Sequence, residues 1–123
     1  MSTNSNIGIR ERDGTIHVIY CHFDGGLHDV GRTLHDHYTS EKKIRSLLAL
    51  GDISSLESTL LKTVAYHRDR GEEISLPRAY ARGKFKPDEM DVYVWDVKTK
   101  KWMYMLNKGK FRSLSICLSE ELD

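Results

Sequence analysis

Two prolines, two cysteines, no long apolar run and almost no net charge mark this chain of 123 residues. Each scarcity excludes something. Cys21 and Cys117 lie far apart inside apolar runs, with no Cys-x-x-Cys spacing, so a zinc knuckle and a redox pair are excluded. Two buried free thiols in a reducing compartment are expected instead. No apolar stretch reaches the length of a membrane span. The polar start MSTNSN carries no apolar core of the kind a secretory signal needs. A cytoplasmic chain that does not enter the membrane is therefore expected. A net charge of +1 gives no global field to draw the chain toward nucleic acid or lipid. Apolar residues make up 39% and charged residues 30%, which points to a compact core under a well-solvated surface.

Complete catalytic motifs are also missing. There is no GxSxG elbow, and Cys21 and His22 are neighbours on a strand, so their side chains face opposite ways. His35 and His37 stand two apart on a helix, about 200° round its axis, and cannot share a metal ion. His22, Asp24 and His28 would supply three ligands only if Gly25-Gly26 folded back on itself. A polar strand end satisfied by backbone hydrogen bonds is the simpler reading. No metal, no cofactor and no enzymatic activity are expected.

What is present is concentrated between Asp13 and Tyr38, where a turn, an apolar strand, a second turn and a helix follow one another. Asp13-Gly14 suits a two-residue hairpin whose central positions both need positive φ. It joins arms 7–12 and 15–23, and the second arm is apolar on both faces, as a strand covered on two sides would be. Such a strand also offers a surface on which a second copy can pair to make a homodimer. Val30, Leu34 and Tyr38 fall at i, i+4 and i+8, predicting a helix over 30–38 with Asp29 as its N-cap. Thr39 or Ser40 caps a second helix over 40–50, with Gly51 as its stop. A third helix is predicted over 54–61 from Leu56, Leu60 and Leu61.

Further on, 63–66 is short and β-prone, 67–73 is a charged turn, and 74–90, which holds both prolines, is irregular. Asp91–Val97 and Lys101–Leu106 alternate and form a second hairpin. Phe111, Leu114, Ile116 and Leu118 suggest a closing helix. The whole reads as a disordered tail over 1–6 and a single α+β domain over 7–123, an antiparallel sheet from the two hairpins packed on two or three helices.

Four separated blocks carry a resemblance. They are Ile19-Tyr20-Cys21-His22-Phe23-Asp24-Gly25; Val30-Gly31 with Leu34 and His37-Tyr38; Leu50-Gly51-Asp52-Ile53-Ser54-Ser55-Leu56; and Ala65-Tyr66-His67-Arg68-Asp69-Arg70-Gly71-Glu72. In this order the chain resembles a family of small proteins encoded by tailed bacteriophages and prophages, over about residues 12–73 and weakly in the last hairpin. That family usually continues its second turn with an aromatic and a proline, where Gly26-Leu27-His28 stands here. The resemblance implies a phage accessory protein acting in the host bacterial cytoplasm, where many such proteins blunt host defences. It supplies no activity.

Two binding functions follow. In the first, the polar ends of apolar elements converge at one edge of the sheet. Tyr20, His22, Asp24, His37, Arg68 and Arg70 then line a site for a host protein or a small anionic, nucleotide-like signal. The ordinary alternative for Arg68 and Arg70 is pairing with Glu72, Asp24 or Asp69 to pin a turn. In the second, nucleic acid is bound by the basic segment 78–112, which holds ten Lys/Arg against four acids. Arg78, Arg82, Lys84 and Lys86 would make its phosphate contacts. Tyr93 and Trp95, and Trp102 and Tyr104, share faces of the second hairpin, so most of these aromatics should be buried.

Overall fold

A computed structural model describes residues 3–120. The fold is mixed α+β, built on one mostly open eight-stranded sheet with four helices. Its strands are β1 (Ser5–Arg10), β2 (Ile16–Cys21), β3 (Ile53–Ser55), β4 (Val64–Ala65), β5 (Arg78–Tyr80), β6 (Asp91–Asp96), β7 (Lys101–Leu106) and β8 (Arg112–Ser113). The helices are α1 (Arg32–His37), α2 (Glu41–Ala49), α3 (Tyr66–Arg70) and α4 (Leu114–Glu120), with a single π-helical turn at Leu27–Gly31 leading into α1. The strands lie in the order β4-β3-β2-β1-β6-β7-β8, and β5 also pairs with β2.

Both predicted hairpins are present and antiparallel, β1 with β2 and β6 with β7. They join through their first strands, which run parallel, with Ile7 opposite Tyr93 and Arg10 opposite Asp96. The sheet is therefore mixed. The first strand starts at Ser5, so the predicted tail over 1–6 is shorter than expected. Ser5 and Asn6 are buried, and Asn6 Oδ1 accepts the Asp88 amide at 3.2 Å. Residues 1 and 2 lie outside the described residues.

The Asp13-Gly14 turn differs in detail from the two-residue form. The Glu11 amide donates to Thr15 O and the Gly14 amide to Glu11 O, and only Gly14 has positive φ, at 93°. The loop is thus three residues long, a tight turn followed by a left-handed glycine. Arg82's methylenes lie against that glycine, where a Cβ would sit 2.6 Å from its Cγ.

Alternation divides the sheet into two faces. On one, Ile7, Ile9, Ile19, Cys21, Tyr93 and Trp95 pack with Val30, Leu34, Tyr38, Ile44 and Leu47 from the helical layer. On the other, Ile16, Val18, Val92 and Val94 are covered by Tyr80, Phe85, Met105 and Phe111. This explains the two-sided apolar character of β2. It also removes the reason to expect a second copy against that strand.

The helices depart from expectation at two places. Asp29 caps nothing. The π-helical turn begins after an extended Gly26 with no side-chain cap, and it is closed by the Gly31 amide on Gly26 O. Ser40 does cap α2, accepting the Lys43 amide at 3.2 Å. The predicted helix over 54–61 does not form. Ser54 belongs to β3, and Thr63 Oγ1 takes the Glu57 amide (3.0 Å) while donating to Thr59 O (2.9 Å). A stretch this rich in Ser and Thr offers its backbone side-chain partners that compete with helical hydrogen bonds.

The charged turn predicted over 67–73 begins as the short helix α3 and ends at Gly71. The irregular 74–90 segment carries β5. Arg112–Ser113 is a two-residue strand ahead of α4, so only the second part of the closing element is helical. None of the helices among the described residues is long and apolar enough to cross a membrane.

Candidate functional site

The six residues predicted as a site fall into three groups. Tyr20 and His22 share the face of β2 opposite the helices, and the Tyr20 hydroxyl lies 2.6 Å from His22 Nδ1. The Tyr20 amide falls between the reach of β5, which ends at Val18, and that of β3, which begins at Cys21. The Asp52 carboxylate fills this gap, accepting that amide at 2.8 Å. Arg78 stands beside it, 4.0 Å from Asp52 and 3.5 Å from Asp88. Burial pushes the Tyr20 phenol up, and the charge of Glu89 adds to it. Burial and then Asp88 push Glu89 up in turn. Arg70 reaches the neighbouring β3, donating to Ser54 Oγ at 3.3 Å with its guanidinium 5.3 Å from the Tyr66 ring centre.

Arg68, by contrast, is spent on structure. It pairs with Asp69 at 2.9 Å and donates to Thr63 O, while Asp69 accepts the Ala65 amide at 2.7 Å. That arrangement pins the start of α3 and holds the Asp69 carboxyl below its usual range. Asp24 sits in a left-handed turn (φ 55°), where its carbonyl accepts the Val30 amide. His37 ends α1, and its carbonyl accepts the Lys43 ammonium at 2.6 Å. Tyr20, His22 and Arg70 are thus brought together around Asp52–Ser54; Asp24, His37 and Arg68 serve elsewhere.

Chemistry beyond binding finds little support there. Cys21 is fully buried, and burial pushes its thiol up to about 12, far from the thiolate that nucleophilic attack needs. Among the described residues, no three His, Cys, Asp or Glu side chains gather closely enough to hold a metal ion.

A second arrangement lies on the same face of the sheet, at the other end of the first hairpin. Arg10, Arg12, Arg82 and Lys98 surround a cleft of about 460 Å³ whose floor includes Ile16, Phe85, Met105 and Phe111. The Phe85 and Phe111 rings lie 6.2 Å apart and 23° from parallel. Tyr80 meets Phe85 edge-on at 5.2 Å, and the Arg10 guanidinium lies 6.0 Å from the Phe111 centre.

Two carboxylates also line the cleft, and both are already occupied. Glu11 takes two hydrogen bonds from Arg45, at 2.7 and 2.8 Å, which hold its carboxyl below the usual range. Asp96 is raised by burial, but the Arg10 guanidinium and the Lys98 amide more than offset this, and the net shift is downward. Arg12, Arg82 and Lys98 are exposed and make no ion pair among the described residues. Of the lining cations only Arg82 was named from the sequence. Arg10 and Lys98 join it through the parallel pairing of β1 with β6, which no local pattern signals. Arg12 is visible in sequence beside the Asp-Gly turn, where a charged residue reads as ordinary turn polarity.

The Glu11–Arg45 pair gives this region a pH dependence. A carboxyl whose folded pKa is depressed adds stability above its unfolded pKa and loses it as pH falls through the folded value. Both groups are partly solvated, so the contribution is that of a surface pair. Glu11→Gln is expected to cost about 0.5–1 kcal/mol at pH 7 and almost nothing at pH 3, read by urea unfolding at the two pH values. An equal loss at both would show that packing, not charge, holds the turn to α2.

Among known proteins, no family model matches this chain, no curated protein matches it, and no solved structure matches it.

Proposed function

We propose that the chain is a non-enzymatic binding protein and that a small anionic ligand of the nucleotide class occupies the basic cleft. The supporting observation is three cations without ion pairs above a near-parallel Phe85–Phe111 pair. The cleft volume lies within the usual range for small-molecule sites. Arginine forks suit phosphate oxygens, and a planar base has an aromatic surface on which to stack. The Tyr20–His22–Arg70 cluster is then a neighbouring polar edge, available to a protein partner. In the phage setting implied by the sequence blocks, such a protein would act by withholding a nucleotide signal from the host; that part of the proposal rests on the blocks alone.

Calorimetric titration with a nucleoside monophosphate, a nucleoside and inorganic phosphate tests the reading. The monophosphate should bind best, because only it engages both floor and rim. Arg12→Glu with Arg82→Glu removes two charge-assisted contacts, together about 3 kcal/mol or more, so affinity should fall at least about 100-fold. Unchanged affinity in that double variant would remove the cleft from consideration.

Nucleic acid is the second reading, favoured by Lys84 and Lys86, which are exposed beside Arg82. Two observations weaken it. Arg78 is engaged with Asp52 and Asp88, and Tyr93, Trp95, Trp102 and Tyr104 are buried, which leaves few rings to stack on successive bases. It predicts oligonucleotide affinity that falls steeply with salt and drops on Lys84→Ala with Lys86→Ala.

A further inference from the structure

Both tryptophans of the chain stand on the helical side of the sheet, directly opposite each other on β6 and β7. Their rings meet edge to face, 5.7 Å apart. Together they line a cavity of about 430 Å³ that continues to Ile116 on α4, with Lys100 and Lys101 beside it. This cavity shares no lining residue with the basic cleft. The two indole N–H groups fare differently. That of Trp102 donates to Tyr38 O at 2.8 Å. That of Trp95 is buried and has no acceptor among the described residues, on a side chain only 6% exposed.

A buried donor left unpaired is uncommon enough to need an explanation, and an acceptor carried in by a ligand is one. The rest of the lining states what that ligand would be. Two indole rings and Ile116, an apolar side chain left 55% exposed, favour a flat apolar body. Lys100 and Lys101, both exposed, favour a negative charge. We infer that this cavity is a second binding site, for a flat aromatic carboxylate or sulfonate whose acidic oxygen takes the Trp95 N–H. The site is independent of the nucleotide reading, since neither its residues nor its ligand involve the cleft.

Because Trp95 and Trp102 are the only tryptophans, indole emission reports this cavity directly. The full-length chain is titrated with 8-anilinonaphthalene-1-sulfonate, an aromatic sulfonate, while indole quenching and transfer to the probe are followed. One saturating equivalent is expected. Trp95→Phe keeps an aromatic ring but removes the donor, and affinity should fall about tenfold. Ile116→Arg fills the rim from an exposed position without touching the core, and should abolish binding even if the Trp95 variant folds poorly. Arg12→Glu with Arg82→Glu should change nothing. Absence of saturable binding, binding indifferent to Ile116→Arg, or binding lost with the cleft variant would each overturn the inference.

Discussion

Replacing Tyr38 with alanine is expected to lower stability by about 3–5 kcal/mol, the largest single-residue effect in this chain. Tyr38 is completely buried and joins three parts of the molecule. Its hydroxyl donates to Glu57 O at 2.8 Å and meets Thr63 Oγ1 at 3.3 Å, so it holds the helix-less 56–63 loop. Its carbonyl receives the Trp102 indole N–H, which ties α1 to β7. The Lys43 ammonium lies 4.1 Å from its ring centre. Alanine leaves a cavity and strips the loop of its anchor. Tyr38→Phe retains the ring and should cost only about 1 kcal/mol, the usual worth of one hydrogen bond. Urea unfolding followed by tryptophan emission separates the two. Equal losses for both variants would mean that the hydroxyl, not the ring, carries the effect.

Gly8→Ala is expected to cost about 2–3 kcal/mol, with a fall in melting temperature on the order of 10 °C. Gly8 lies mid-strand in β1, and a Cβ there would stand 2.4 Å from the His17 carbonyl oxygen and 2.5 Å from Val18 Cγ1. The first contact is with backbone of the adjacent central strand, which has little room to retreat because its other edge is paired with β5. Any relief must separate β1 from β2, and with them the two core faces. Calorimetry of the variant decides the matter; a melting temperature within a degree or two of native would show that the strands can part without loss.

The hairpins, the Ser40 cap and the two-sided burial of β2 were legible because each depends on residues close in sequence. Alternation and turn chemistry act over a few residues, so Asp13-Gly14 and the run from Asp91 to Leu106 could be read directly. The helix over 54–61 failed for an equally local reason that leucine spacing obscured: Thr63 and Thr59 supply the hydrogen bonds a helix would have made. The site was only partly legible. Tyr20, His22 and Arg70 do share an edge, but Arg68 was claimed by Asp69, its immediate neighbour. The cations of the basic cleft were harder to see, because Arg10 meets Asp96 and Phe111 only after two hairpins have docked in parallel.

That docking also sets the order in which the chain can fold. Arg10 and Asp96 are separated by 86 residues, so the central strand of the sheet, made first, receives one of its two neighbours almost last. Long-range parallel pairing forms slowly, since loop closure must precede any reward from contact. During synthesis the N-terminal hairpin waits with the β1 edge open, and an open edge invites pairing with another chain. Yield in a cell therefore depends on how fast the second hairpin follows the first.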